Sequence, residues 1–164
     1  MFHRLRHWLR RLPRRILLSP FGGEVREVTI SPTVVRDLCL MARSSWPKEM
    51  LSYLSATAPV KDGCLHIDEI QLQAYDASTH SATTHLHLLP SVTNIIGTLH
   101  SHPTRAYRPS DADLSLFSHY GLVHGILRHP YNGFDDIAFY DKEGRRVPVR
   151  LAQHSSPEAA PSPR

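Results

Sequence analysis

The sequence predicts one α/β domain, a mixed β-sheet with helices on its faces. Strand-like segments at 25–30, 50–54, 64–75, 84–90, 92–99, 122–128, 136–141 and 146–151 are interleaved with helical patterns at 31–45 and 110–121. One of them, VTNIIGTL at 92–99, is an almost unbroken apolar run that suits a central strand covered on both sides. A chain of 164 residues with 41% hydrophobic content can bury a sizeable core and favours a single domain.

The elements follow from the N-terminus. Residues 1–18, MFHRLRHWLRRLPRRILL, hold six of the 19 basic residues and no acid. The rest of the chain has 13 Lys and Arg against 15 acidic residues, so the net charge of +4 belongs to this arm. Phe2, Leu5, Leu9 and Leu12 lie at helical spacing, with the arginines largely off that stripe. Pro13 would end or kink the helix, and PFGG at 20–23 reads as a hinge. Such an arm could lie on an anionic membrane surface or hold a partner, or be a solvated extension. It is the one feature that suggests nucleic acid, which makes that class of partner a poor fit to the whole chain. No apolar run approaches the roughly 20 residues of a membrane span, and no secretory signal is recognisable. These features favour a cytoplasmic protein.

The folded body is expected over 24–152. VREVTI (25–30) has the β-branched content of a strand. Ser31-Pro32 then supplies an N-cap and a proline at the first helical position, opening a helix that Trp46-Pro47 breaks. MLSYL (50–54) is a short strand, and CLHIDEIQLQAY (64–75) alternates at Leu65, Ile67, Ile70 and Leu72. SDADLSLFSHYG (110–121) reads as a helix ended by Gly121. The strands at 122–128, 136–141 and 146–151 close the sheet, with Lys142-Glu143-Gly144 as a hairpin turn. Residues 153–164, rich in Pro, Ser and Ala, read as a disordered tail. Cys39 and Cys64 form neither a CxxC pair nor a disulfide framework; two buried thiols is the simpler reading, with a single bridge still open.

The chemistry concentrates in GTLHSHPTRAYRPSDADLSLF (97–117). On an extended segment residues i and i+2 project to one side, so His100 and His102 aim two imidazoles at one point. Zinc needs that convergence, and a catalytic zinc usually takes three protein ligands with water in the fourth position. Asp113, one turn into the following helix, can supply the third. Ser110 and Asp113 are also spaced as a helix capping box, which would make them punctuation only. His85 and His87 form a second H-x-H without comparable companions and read as part of an exposed strand.

His100-Ser101-His102-Pro103, seven residues between His102 and Ser110, and then Ser110 and Asp113 resemble the JAMM motif of the MPN-type zinc metalloproteases. The resemblance covers about residues 25–150 in the expected order of elements. It implies a single MPN/JAMM domain, a fold topologically akin to cytidine deaminases, with one zinc per chain. It implies that zinc is held by His100, His102 and Asp113. The family's glutamate, on an upstream strand and typically after a proline, would be Glu49, two residues after Pro47. Glu49 would act as the general base and Ser110 as a donor to the oxyanion. The implied activity is hydrolysis of the peptide or isopeptide bond after the C-terminal tail of ubiquitin-like proteins. The small size points to a prokaryotic-type enzyme with ubiquitin-like or sulfur-carrier substrates. A non-catalytic MPN-type scaffold is the alternative, disfavoured because all five motif residues are present. The chain departs from the family where glycines often follow the glutamate: Ser52 and Ser55 stand in that stretch. Any position there that needs positive φ would be strained. A zinc deaminase is disfavoured, because the H-x-E and PCxxC elements are missing.

Overall fold

The computed structural model describes residues 23–72, 94–119 and 121–153. Their order is β1 (Glu27–Ile30), α1 (Pro32–Ser45), β2 (Leu51–Ser55), β3 (Cys64–Ile67), β4 (Glu69–Leu72), β5 (Ile95–His102), α2 (Asp111–Phe117), β6 (Val123–Arg128), β7 (Ile137–Tyr140), β8 (Arg146–Val147) and β9 (Val149–Leu151). The basic arm over 1–18, the H-x-H at 85–87 and the tail from 154 lie outside the described residues. No described helix is long and apolar enough to cross a membrane.

The α/β class holds, with two sheets where one was expected. A six-stranded sheet runs in the order β4-β2-β5-β6-β7-β8, and a three-stranded sheet in the order β3-β1-β9. The larger is mixed, with β5 and β6 parallel and its other pairs antiparallel. In the smaller, β1 pairs parallel with both neighbours. Two expected strands are each divided between the sheets. The 64–75 segment breaks at Asp68 into β3 and β4, and the 146–151 segment breaks at Pro148 into β8 and β9. Pro148 has no amide hydrogen to offer a ladder, and its carbonyl instead accepts from Val28 N at 2.9 Å. The second helix is shorter than expected: α2 ends at Phe117. Gly121, at φ +76°, instead turns the chain toward β6, its Cα close against the backbone of Gly97.

Side-chain parity explains how two helices cover the larger sheet. Val34, Val35, Leu38, Cys39 and Ala42 of α1 pack in one cluster with Leu99, Val123, Leu127 and Phe139. Leu116 and Phe117 of α2 pack with Ile126, Ala138 and Tyr140. At the start of β5, beside a register shift in its pairing with β2, Ile96 still packs in the α1 cluster. From Leu99 onward the alternation is regular: Leu99, with Val123 and Leu127 of β6, faces α1, and the even positions His100, His102 and Ile126 face α2. β5 is the expected central strand, buried from Ile95 to Ser101, and it runs through both histidines. Gly97 is required there, since a Cβ would stand 1.7 Å from the Val123 carbonyl oxygen.

Candidate metal centre

The site is built where the end of β5 meets the first turn of α2. His100 and His102 share a face of the strand, and Asp113 reaches them from the third residue of the helix. His100 Nε2 lies 3.0 Å from His102 Nε2 and 3.2 Å from Asp113 Oδ1, and His102 Nε2 lies 3.5 Å from Asp113 Oδ2. His100 and Asp113 are buried. Two ring nitrogens this close repel if both present lone pairs, so they must share a proton or a cation. The three ligand atoms lie within 4.8 Å of one another and could hold a metal ion. Two imidazoles and one carboxylate are the donor set of a catalytic zinc with an open fourth position, so these residues fit zinc.

Hydrogen bonds orient the donors. His102 Nδ1 lies 3.0 Å from the Ala106 carbonyl oxygen. A carbonyl only accepts, so Nδ1 carries the hydrogen and the neutral ring turns its Nε2 lone pair toward the site. His100 Nδ1 is buried with no hydrogen-bond partner among the described residues. Asp113 Oδ2 accepts from Ser110 N at 2.7 Å and from Ser110 Oγ at 2.8 Å, and Asp113 N donates to Ser110 Oγ at 3.2 Å. The capping box and the ligand set are thus one structure: the helix start that orders α2 also fixes the carboxylate. Burial alone would raise the Asp113 pKa, but the two neighbouring histidine rings and the bond from the Ser110 amide hold it well below the carboxylate range. Burial likewise disfavours charge on His102, yet Asp113, the Ala106 carbonyl and the charge of Glu49 together raise its pKa.

The chain matches the family described as prokaryotic homologs of the JAB domain over residues 31–141. It is a prokaryotic JAB-domain protein. The JAB domain is 38% identical over 101 residues to a probable metalloprotease of Haloferax volcanii, a match covering 60% of this chain and 62% of that protein. It also resembles a solved structure described as a JAMM metalloprotease-like zinc site in the proteasome and signalosome. That likeness has a TM-score of 0.59 and 25% identity, and covers 77% of this chain and 98% of the other. A JAB1/MPN domain protein from Archaeoglobus fulgidus aligns with a TM-score of 0.58 at 25% identity, over 80% of this chain and 100% of its own.

The JAB domain brings four of the five motif residues into direct contact, and the fifth stands close by. Glu49 is exposed and sits just ahead of β2 rather than within a strand. Leu51 pairs with His100, and Met50 exchanges bonds with Ser101, so Glu49 falls opposite His102 and on the same face. Its charge is felt by His102 and by Tyr131. Sequence reasoning gave Ser101 no function, but it braces this approach. Its buried Oγ accepts from Met50 N at 2.9 Å on the α1 side of the sheet. Tyr131, buried at φ +62°, donates its hydroxyl to the His102 carbonyl at 3.0 Å. No sequence signal marked Tyr131 or the Ala106 carbonyl, because neither belongs to a periodic element. Ser52 and Ser55 are ordinary buried strand residues, not strained ones: the non-glycine residues with positive φ among those described are Asp62 and Tyr131. Ser55 Oγ, beside a register shift in the β2–β5 ladder, is buried with no described hydrogen-bond partner. Both cysteines are free thiols, Cys39 on the buried face of α1 and Cys64 partly buried in β3.

Proposed function

We propose that this chain is a zinc-dependent metalloprotease that hydrolyses the peptide or isopeptide bond after the C-terminal tail of a ubiquitin-like or sulfur-carrier protein. The observation that carries the reading is the convergence of His100, His102 and Asp113 ligand atoms within 4.8 Å, with Glu49 opposite His102 on the same face. Zinc, held one per chain by those three residues, would polarise the scissile carbonyl and lower the pKa of a coordinated water toward ~7. Glu49, exposed beside His102, would take the proton from the attacking water and deliver it to the leaving amine. Ser110 would donate to the developing oxyanion. Its hydroxyl hydrogen now points to Asp113 Oδ2. Only that hydrogen has to turn, because Ser110 N continues to hold the carboxylate. The substrate tail would bind extended, held by main-chain hydrogen bonds. Free thiols are consistent with a cytoplasmic setting. The arm over 1–18 would add contact with a membrane surface or a partner.

The test is a panel of ubiquitin-like and sulfur-carrier conjugates incubated with the purified protein, with and without a chelator, beside Glu49→Gln. The expected result is about one zinc per chain, cleavage that the chelator stops, and a Glu49→Gln rate lower by ~10²–10⁴-fold with zinc retained. A zinc-loaded protein that cleaves nothing in the panel would favour the non-catalytic scaffold. Cleavage by Glu49→Gln at the parent rate would remove Glu49 from the mechanism.

A further inference from the structure

The loop over 103–110 joins two metal ligands, has no regular secondary structure, and still has to deliver one carbonyl accurately. That carbonyl belongs to Ala106, which accepts from His102 Nδ1 at 3.0 Å. Ala106 is itself exposed and its methyl group anchors nothing. The next residue is anchored three ways. The Arg128 guanidinium lies 4.0 Å over the Tyr107 ring, within cation–π range, and the Arg146 guanidinium lies 5.3 Å from the same ring. The Tyr107 hydroxyl donates to the Asp135 carbonyl. The Tyr107 carbonyl accepts from the hydroxyl of Tyr140 at 2.8 Å, and Tyr140 is buried in the α2 cluster. Arg128 is itself held by Asp136 at 3.1 Å. On the other side of Ala106, the Thr104 carbonyl accepts from His129 N at 3.0 Å.

We propose that Tyr107 is a positioning residue for the metal centre: clamped between Arg128 and Tyr140, it holds the Ala106 carbonyl where it fixes the tautomer of His102. The two histidines differ in this respect. His100 Nδ1 has no described partner, so nothing comparable sets its tautomer. His102 has the Ala106 carbonyl, and the clamp turns that one acceptor from a loop atom into a fixed one. Releasing the loop would let the ring place its hydrogen on Nε2, the atom that has to offer a lone pair. This role rests on the metal-centre reading for its purpose, but its first readout needs no metal.

The experiment compares the parent with Tyr107→Leu, Tyr107→Phe and Tyr140→Phe. Long-range ¹H–¹⁵N spectra of the metal-free proteins report which His102 nitrogen carries the hydrogen, and a competing chelator titration reports zinc affinity. The parent should show His102 protonated at Nδ1. Tyr107→Leu should show a mixture of His102 tautomers and bind zinc ~10–100-fold more weakly, the usual effect of losing a ligand's outer partner. Tyr107→Phe keeps the ring over Arg128 and should recover most of the affinity. Tyr140→Phe removes one hydroxyl from the clamp and should shift both readouts the same way, less far. A folded Tyr107→Leu with the parent's His102 tautomer overturns the proposal, whether or not zinc affinity falls. If Tyr107→Leu does not fold, parent-like tautomer and affinity in Tyr140→Phe overturn it instead. A His102 tautomer that shifts in a protein that cleaves no conjugate would sustain the clamp while counting against the proposed activity.

Discussion

Ser110 serves helix and site through different atoms, so its loss can be dissected. Ser110→Ala removes the hydroxyl but leaves the backbone amide on Asp113 Oδ2. Zinc stoichiometry should therefore survive, stability should fall by about 1 kcal/mol for the lost cap, and kcat should fall by ~10²–10³-fold if the hydroxyl serves the oxyanion. Thermal unfolding, metal analysis and single-turnover cleavage separate the three; a rate loss of less than twofold would leave Ser110 a cap alone. Ser101 offers a second separable case. Its Oγ is the acceptor for the buried Met50 amide, so Ser101→Ala strands that donor and should cost about 1–3 kcal/mol. It should also slacken the segment carrying Glu49, lowering kcat more than it raises KM. The sequence placed Ser101 beside the ligands but offered no sign of this bond, whose partner is 51 residues away.

At the scale of elements, the close passage of β5 against the start of β6 makes a sharp demand. Gly97→Ala would drive a methyl group into the Val123 carbonyl, against backbone that has no rotamer to yield. Strand separation at the root of the strand that carries His100 and His102 should lower Tm by several degrees and weaken zinc binding with it, measurable by calorimetry with and without metal. The β7–β8 turn responds to pH. Burial would raise the Asp141 pKa, but the amides of Arg145 and Glu143 and the Arg145 side chain outweigh it and lower it. Its contribution is therefore complete above the ordinary Asp value near ~4 and is lost as pH falls through the depressed value. Hydrogen-exchange protection of the Glu143 and Arg145 amides, measured relative to their intrinsic exchange rates, should fall as pH drops below ~4 in the parent and show no such step in Asp141→Asn. The broken strand at 64–75 belongs to this scale too, and its sign was present in the pattern. Leu65 and Ile67 lie on odd positions, Ile70 and Leu72 on even ones, so the apolar face changes side at Asp68. One continuous strand cannot bury both pairs on one face.

For the molecule as a whole, zinc should act as a ligand of the folded state. The donors come from β5 and from α2 across a loop, so the unfolded chain cannot assemble them at low cost. Free zinc at about 100 times its dissociation constant should add about 2.7 kcal/mol, and a chelator should remove it as a lower Tm. An unchanged Tm on chelation would mean that the three residues hold no ion. The sequence by itself determined the α/β class, the central strand, both helix starts and the candidate ligands His100, His102 and Asp113, because each is written in local terms: an apolar period, a Ser-Pro or Ser-x-x-Asp start, an H-x-H on extended backbone. Only the tertiary structure decided that 64–75 and 146–151 divide between two sheets, that Glu49 stands opposite His102, that Ser101 bonds the Met50 amide and Tyr131 the His102 carbonyl, and that Tyr107 lies between Arg128 and Tyr140. Those outcomes depend on register and on hydrogen bonds between residues tens of positions apart, whose partners no local pattern names.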